Sequence, residues 1–249
     1  MRFSALLVVT ALVMASSTLS ARQPREVANR PSPRTVDYEW MSVATWNQKH
    51  EANVARAAQG NVDVLLLGDS ITEGWNNTEI WKEHYPKLQI ANFGIGGDTT
   101  ANLLWRLENG EIGNLRPRLI VLMIGINNLG RNGDKPAEVV TGIQTIVSIL
   151  HSRIPACKIL VLGLLPADEK PRTRLRKQIA DTNRRLAENL HDGHSILVED
   201  YSSVMLEPDG TISPEIMADF LHPTPAGYKR LADAMFPRME RYVFSTVYR

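Results

Sequence analysis

The chain has 249 residues, 28 Lys+Arg against 27 Asp+Glu, with 43% hydrophobic and 22% charged residues. That length suits one α/β domain, or at most two small ones, and that composition supplies a sizeable core. The near balance of charge, without a basic stripe or a polybasic run, argues against nucleic acid or anionic lipid as a partner.

From the N-terminus, Arg2 is followed by an apolar stretch over 5–15 and small polar residues up to Ala21. The pattern predicts a secretory signal peptide over 1–21, cut after Ala21; the alternative is an uncleaved anchor, although the stretch is short for a bilayer. A signal predicts a secreted or periplasmic protein with no stable membrane insertion after its removal. Residues 22–36 carry Arg22, Arg25, Arg30, Arg34, Pro24, Pro31 and Pro33 with almost no aliphatic residues, and read as a flexible linker. The domain then spans 37–249. Its single cysteine, Cys157, opens an apolar run, so it reads as a buried structural thiol with no disulfide partner.

Helical spacing over 45–59 precedes a continuous apolar run at 62–67, the first predicted strand. A second run at 89–93 is followed by helical spacing over 99–108. Strands at 119–124, 158–162 and, more weakly, 195–198 alternate with helical patterns over 137–151 and 171–190. Thr224 before Pro225 reads as an N-cap with proline at the first helical position, opening a last helix. Short apolar runs without alternation are strands covered on both faces, so the order implies an α/β sandwich around a parallel five-stranded sheet. Ligands of such sheets bind beyond the carboxyl ends of the strands.

Those ends carry the chemistry. After the first strand comes Gly68-Asp69-Ser70, in which glycine permits a turn that presents Ser70; a helix-capping serine is the plain alternative. Thr72 stands where an α/β-hydrolase elbow needs its second glycine. After the second strand, Gly94-Ile95-Gly96-Gly97-Asp98 can bring backbone N–H groups to an anion, or can be a plain tight turn. Thr99 stands where a dinucleotide loop needs glycine. After the third, Asn127 can point an amide into the same crevice or serve as a turn residue. Asp219 and His222, three apart, can share one side of a helical turn, leaving imidazole Nε2 free to face a serine, or can be a solvated acid and a helix-entry histidine. His191-Asp192-Gly193-His194 reads as a solvated turn, and no metal-ligand spacing stands out.

Gly68-Asp69-Ser70, Gly94 to Asp98, Gly125-x-Asn127 and Asp219-x-x-His222 together resemble the four blocks of the SGNH (GDSL) hydrolase family. The stretches 92–100, 104–107, 109–111, 161–166 and 219–222 look like the catalytic subunits of platelet-activating-factor acetylhydrolase type Ib. The resemblance implies a flavodoxin-like three-layer α/β/α fold and a metal-free esterase that needs no cofactor. It implies Ser70 as nucleophile, His222 as base and Asp219 as its orienting acid. The Ser70 and Gly97 N–H groups and the Asn127 amide would form an oxyanion hole, and Ile71, Ile126 and Leu221 would wall an acyl pocket. The resembled subunits are dimers, so a homodimer is a further expectation. The expected function is a secreted esterase for short acyl groups, acetyl foremost, with acetylated carbohydrates as one substrate class. The alternatives are a lipid esterase or lysophospholipase, an activity like that of the platelet-activating-factor acetylhydrolases, or a non-catalytic carbohydrate-binding protein on the same fold.

Overall fold

A computed structural model describes residues 25–244; the expected signal peptide, 1–21, lies outside them, as do 22–24. The strands are β1 (Val64–Gly68), β2 (Ile90–Gly94), β3 (Leu119–Met123), β4 (Lys158–Leu162) and β5 (Ile196–Glu199), each within two residues of its sequence-predicted bounds. They form one parallel sheet in the order β2-β1-β3-β4-β5. β1 and β3 are buried at every residue, which is why neither alternates in polarity.

The helices are α1 (Val43–Ala58), α2 (Ser70–Glu73), α3 (Ile80–His84), α4 (Thr100–Arg106), α5 (Pro136–Arg153), α6 (Arg174–Leu190) and α7 (Pro225–Phe244). Right-handed crossovers put α4, α5 and α6 on one face of the sheet. On the other, α3 meets α7 where Trp81 packs edge-on against Phe236, 4.8 Å between centroids. Two predicted helices are trimmed for local reasons. α6 starts at Arg174, because Arg172 has a φ of +73° and Thr173 caps the helix through the Arg176 N–H. The 99–108 helix breaks into a wider turn over Leu107–Glu111, where Gly110 takes a φ of +99°.

The chain runs from β1 outward to β2, then returns past β1 to β3, so the boundary between β1 and β3 is the topological switch point. Gly68 pairs with both Gly94 and Met123. The segments after β1, β2 and β3 therefore leave the sheet at one level.

The fully buried Arg106 ties the ends of β1 and β2 together. Its guanidinium donates to the carbonyls of Phe93 (3.0 Å) and Gly68 (3.2 Å), to Asp98 Oδ2 (2.7 Å), and to Glu111. Asp98 Oδ1 also accepts from the Trp46 indole at 2.6 Å and from Arg34 at 3.2 Å.

That last contact corrects the reading of 22–36 as a flexible linker. Residues 25–36 are a strap bonded along the domain. Arg25 meets Glu138 at 2.6 Å, Glu26 accepts from Thr99 at 2.6 Å and Asn102 at 3.1 Å, and the Ala28 carbonyl accepts from Thr100 at 2.7 Å. Arg34 is only 3% exposed. Proline and arginine without aliphatic residues read as a linker because this strap is held by polar contacts rather than by an apolar stripe.

Replacing Arg106 by Leu leaves Asp98 and Glu111 buried without their shared cation. Loss of one partner of a buried pair costs about 3–5 kcal/mol; urea unfolding of Arg106→Leu is expected to show a loss of that order.

Candidate active site

Ser70 opens α2 directly after β1, with Asp69 as the N-cap accepting from the Ile71 N–H at 3.0 Å. Gly68 is required here by space rather than by an unusual φ. A Cβ on it would stand 2.1 Å from Thr72 Oγ1 and 2.2 Å from the Met123 carbonyl. Any side chain would push α2, and Ser70 with it, away from the sheet.

His222 lies in the loop before α7, and its Nε2 is 2.8 Å from Ser70 Oγ, across 152 residues of sequence. Its Nδ1 is 2.6 Å from Asp219 Oδ2. Asp219 Oδ1 accepts from the backbone N–H groups of Leu221 (3.0 Å) and His222 (2.7 Å). Partial burial pushes the Asp219 carboxyl up, but these hydrogen bonds, led by the His222 side chain, hold it below its ordinary value. An ionised Asp219 fixes the proton on Nδ1, and Nε2 then accepts from the Ser70 hydroxyl. Between acid and base sits Phe220, at a φ of +58° rare for a bulky residue; its N–H donates to the Met217 carbonyl and its carbonyl accepts from the Asp168 N–H, both at 3.0 Å. Tyr228 ties α7 to α2 by donating to the Ile71 carbonyl at 2.7 Å. The Thr224 cap is present, accepting from the Gly227 N–H at 3.2 Å.

The other sequence candidates fall at the same strand ends. Gly97 has a φ of +76°, and a Cβ there would lie 2.7 Å from the Trp40 ring. Asn127 is buried, and one of its amide hydrogens goes to the Asp98 carbonyl at 3.0 Å, joining the loops after β2 and β3. Its second amide hydrogen, and the N–H groups of Gly97 and Ser70, have no acceptor among the described residues. Sequence reasoning missed Glu73, whose Oε2 accepts from the Gly96 N–H at 2.7 Å while Lys49 holds its other oxygen. It also missed Asn128, which bonds Thr100 and Asp134 and pins the loop after β3. Neither had a motif to mark it; each is a polar side chain inside a short turn. His191 and Asp192 spend their side chains on backbone N–H groups, as a turn does.

A cavity of about 240 Å³ opens on Ser70 and His222, lined by Gly74, Asn77, Thr78, Pro223, Pro225 and Tyr228. Ile71, Ile126 and Leu221, expected to wall an acyl pocket, line no part of it. Ile71 and Ile126 are 3% and 5% exposed and belong to the main core, and Leu221 packs half-buried against it. The opening lies on the Pro223–Tyr228 side, where no strand-end motif points.

A hydroxyl, an imidazole and a carboxylate in one hydrogen-bonded line beside unpaired N–H donors can carry out nucleophilic acyl transfer. The family model for GDSL-like lipases and acylhydrolases matches residues 66–230, which span all of these groups. The chain belongs to this family. It is a carboxylic ester hydrolase. It is 40% identical over 186 residues to the human platelet-activating factor acetylhydrolase IB subunit alpha2, covering 75% of this chain and 80% of that one. The bovine alpha1 subunit is 35% identical over 215 residues, covering 84% and 87%. Among solved structures, a GDSL-like lipase from Bacteroides thetaiotaomicron superposes with a TM-score of 0.61 at 21% identity, covering 80% of this chain and 98% of that one. An acetylxylan esterase from Geobacillus stearothermophilus superposes at 0.57 with 22% identity, covering 73% and 93%. These two share the fold. Among the described residues, no helix is long and apolar enough to cross a membrane.

Asp69 adds a pH dependence to stability. It is 1% exposed, and burial pushes its carboxyl up to about 7, against the Ile71 N–H that favours its charge. The folded state then binds this proton more tightly than the unfolded chain does. Between about pH 4 and 7 the folded protein holds more protons, so this group lowers stability as pH rises through that window. Asp69→Asn keeps the acceptor for Ile71 and removes the titration. Its melting temperature should fall less than the wild type's between pH 5 and pH 8, read by calorimetry at both values.

Proposed function

We propose that this protein is a secreted esterase that removes short acyl groups, acetyl foremost, through an acyl-enzyme on Ser70. The observation that carries this reading is the unbroken line from Ser70 Oγ to His222 Nε2 (2.8 Å) and from Nδ1 to Asp219 (2.6 Å). His222 takes the hydroxyl proton as Ser70 attacks the ester carbonyl, and the Asp219 carboxylate stabilises the imidazolium. Negative charge develops on the carbonyl oxygen, where the Ser70 and Gly97 N–H groups and the free hydrogen of the Asn127 amide receive it. His222 returns the proton to the departing alcohol. Water then attacks the acyl-Ser70 carbonyl, giving its proton to His222, and the acid leaves as Ser70 regains its hydrogen.

Two observations favour a short acyl group. The cavity at Ser70, about 240 Å³, falls below the range of about 300–1,000 Å³ that accommodates drug-sized ligands. The curated relatives at 35–40% identity are named as acetylhydrolases. The expected signal peptide would carry the enzyme out of the cytoplasm, and acetylated carbohydrate is the substrate class we assign it there.

A fluorophosphonate is expected to label the wild type and to leave Ser70→Ala unlabelled; equal labelling of both sinks the assignment. On nitrophenyl esters from acetate to decanoate, kcat/KM should fall as the chain lengthens, and a rise would refute the short-acyl reading. Loss of one oxyanion donor lowers kcat by about 10²–10³, so Asn127→Ala should show that drop in steady-state assays on protein whose circular dichroism shows it folded.

A further inference from the structure

The cavity on Ser70 is lined by neutral side chains apart from His222, so it offers no cation to a charged substrate. A second, larger cleft of about 960 Å³ is different. It opens where the strap of residues 25–36 meets the loop after β3, and Arg25, Arg30, Arg34 and Arg131 line it together with Glu26 and Tyr38. It adjoins the loop that carries Gly97. Arg131 Nη1 donates to the Gly97 carbonyl at 3.2 Å, and a Cβ on Gly97 would stand 3.0 Å from the Tyr38 ring.

The charges in this cleft are unevenly matched. Arg25 is neutralised by Asp134 (3.4 Å) and Glu138 (2.6 Å). Arg34 has Asp98 at 3.2 Å, but Asp98 also serves Arg106 and the Trp46 indole. The carboxylate of Glu26 accepts from the Thr99 hydroxyl and the Asn102 amide and lends part of its charge to Arg34. Among the described residues, Arg30 and Arg131 have no carboxylate partner. Arg34 and Arg131 also crowd one ring, with their guanidinium carbons 4.4 and 4.2 Å from the Tyr38 centroid. Arg34 Nε is buried and finds no acceptor. Like charges gathered on one aromatic face, with donors left over, form a cluster that an anion can satisfy. Guanidinium groups bind phosphate and carboxylate through paired, charge-assisted hydrogen bonds.

We propose that this cleft is a subsite for an anionic group, phosphate or carboxylate, on the alcohol half of the ester. The inference rests on Ser70 as the nucleophile: the acyl group enters the neutral cavity, and the alcohol extends over Gly97 toward Arg131 and Arg30. The protein then prefers acetylated alcohols that carry a negative charge close to the ester.

Binding is tested without catalysis. Inorganic phosphate and glucuronate are titrated separately, by calorimetry, into the full chain carrying Ser70→Ala, and into that chain with Arg30→Gln and Arg131→Gln added. Saturable binding of at least one anion is expected, weakened about tenfold by the two glutamines; the tighter anion identifies the substituent. No saturable binding of either anion, or binding indifferent to the glutamines, overturns the subsite. In the active enzyme, the readout is the ratio of kcat/KM for an acetyl ester bearing that anion to kcat/KM for its uncharged counterpart. The ratio should drop about tenfold in the double variant, through KM, and recover in part with Arg131→Lys. An unchanged ratio also overturns the subsite. Failure to cleave either ester counts against Ser70 as nucleophile instead, and the titration still decides the subsite.

Discussion

The guanidinium of Arg106 is buried, with carboxylates on two sides and the last carbonyls of two neighbouring strands in front of it. A charge in that position is tolerated only when its donors are satisfied, because an uncompensated ion in the interior costs several kcal/mol. Satisfying them fixes geometry. The Gly68 and Phe93 carbonyls set the ends of β1 and β2, and Asp98 sets the loop between β2 and α4. Ser70 follows the first of these anchors and Gly97 precedes the last. Ser70 and Gly97 thus follow segments anchored by one buried cation, and Asn127 joins them through the Asp98 carbonyl.

The base arrives from the other end of the chain and is held differently. Asp219, Phe220 and His222 form a tight turn in which the carboxylate binds both the imidazole and the backbone that carries it. The left-handed Phe220 is a local cost that the following helix helps to offset. Tyr228 on that helix reaches the Ile71 carbonyl of α2. The serine-bearing and histidine-bearing segments are therefore clamped directly, and the 2.8 Å contact between them needs no closing motion.

The strap of residues 25–36 adds an asymmetry. On one side of Ser70 lies a small cavity with neutral walls; beside the Gly97 loop lies a cleft with arginines from the strap and from the loop after β3. The arginines that give this cleft its charge come partly from ahead of the 66–230 match. The proposed subsite thus draws on residues ahead of that match and, in Arg131, on one inside it.

Much of this was legible beforehand. Continuous apolar runs located all five strands, because burial on both faces of a parallel sheet leaves no room for polar alternation. Ser70 was marked by a motif at a strand end, and Asp219 and His222 by their spacing ahead of a capped helix. What escaped the sequence was decided by contacts between distant residues. The helices α2 and α3 are too short to show periodicity. Gly68 looked like a flexible turn, yet it is glycine because Thr72 and Met123 occupy the space a side chain would need. Ile71, Ile126 and Leu221 looked like pocket walls, but where the sheet, α2 and α7 leave a gap depends on how whole layers pack, and the gap lies beside Pro223 and Tyr228. The arginine-rich N-terminal segment looked like a linker because its partners, Asp98, Thr99, Asn102 and Glu138, lie more than sixty residues away. Sequence by itself determined the order of elements and singled out the candidate reacting groups, since both follow from local patterns of polarity and chemistry. Only the tertiary structure decided which buried charge meets which, and on which side of the serine space remains.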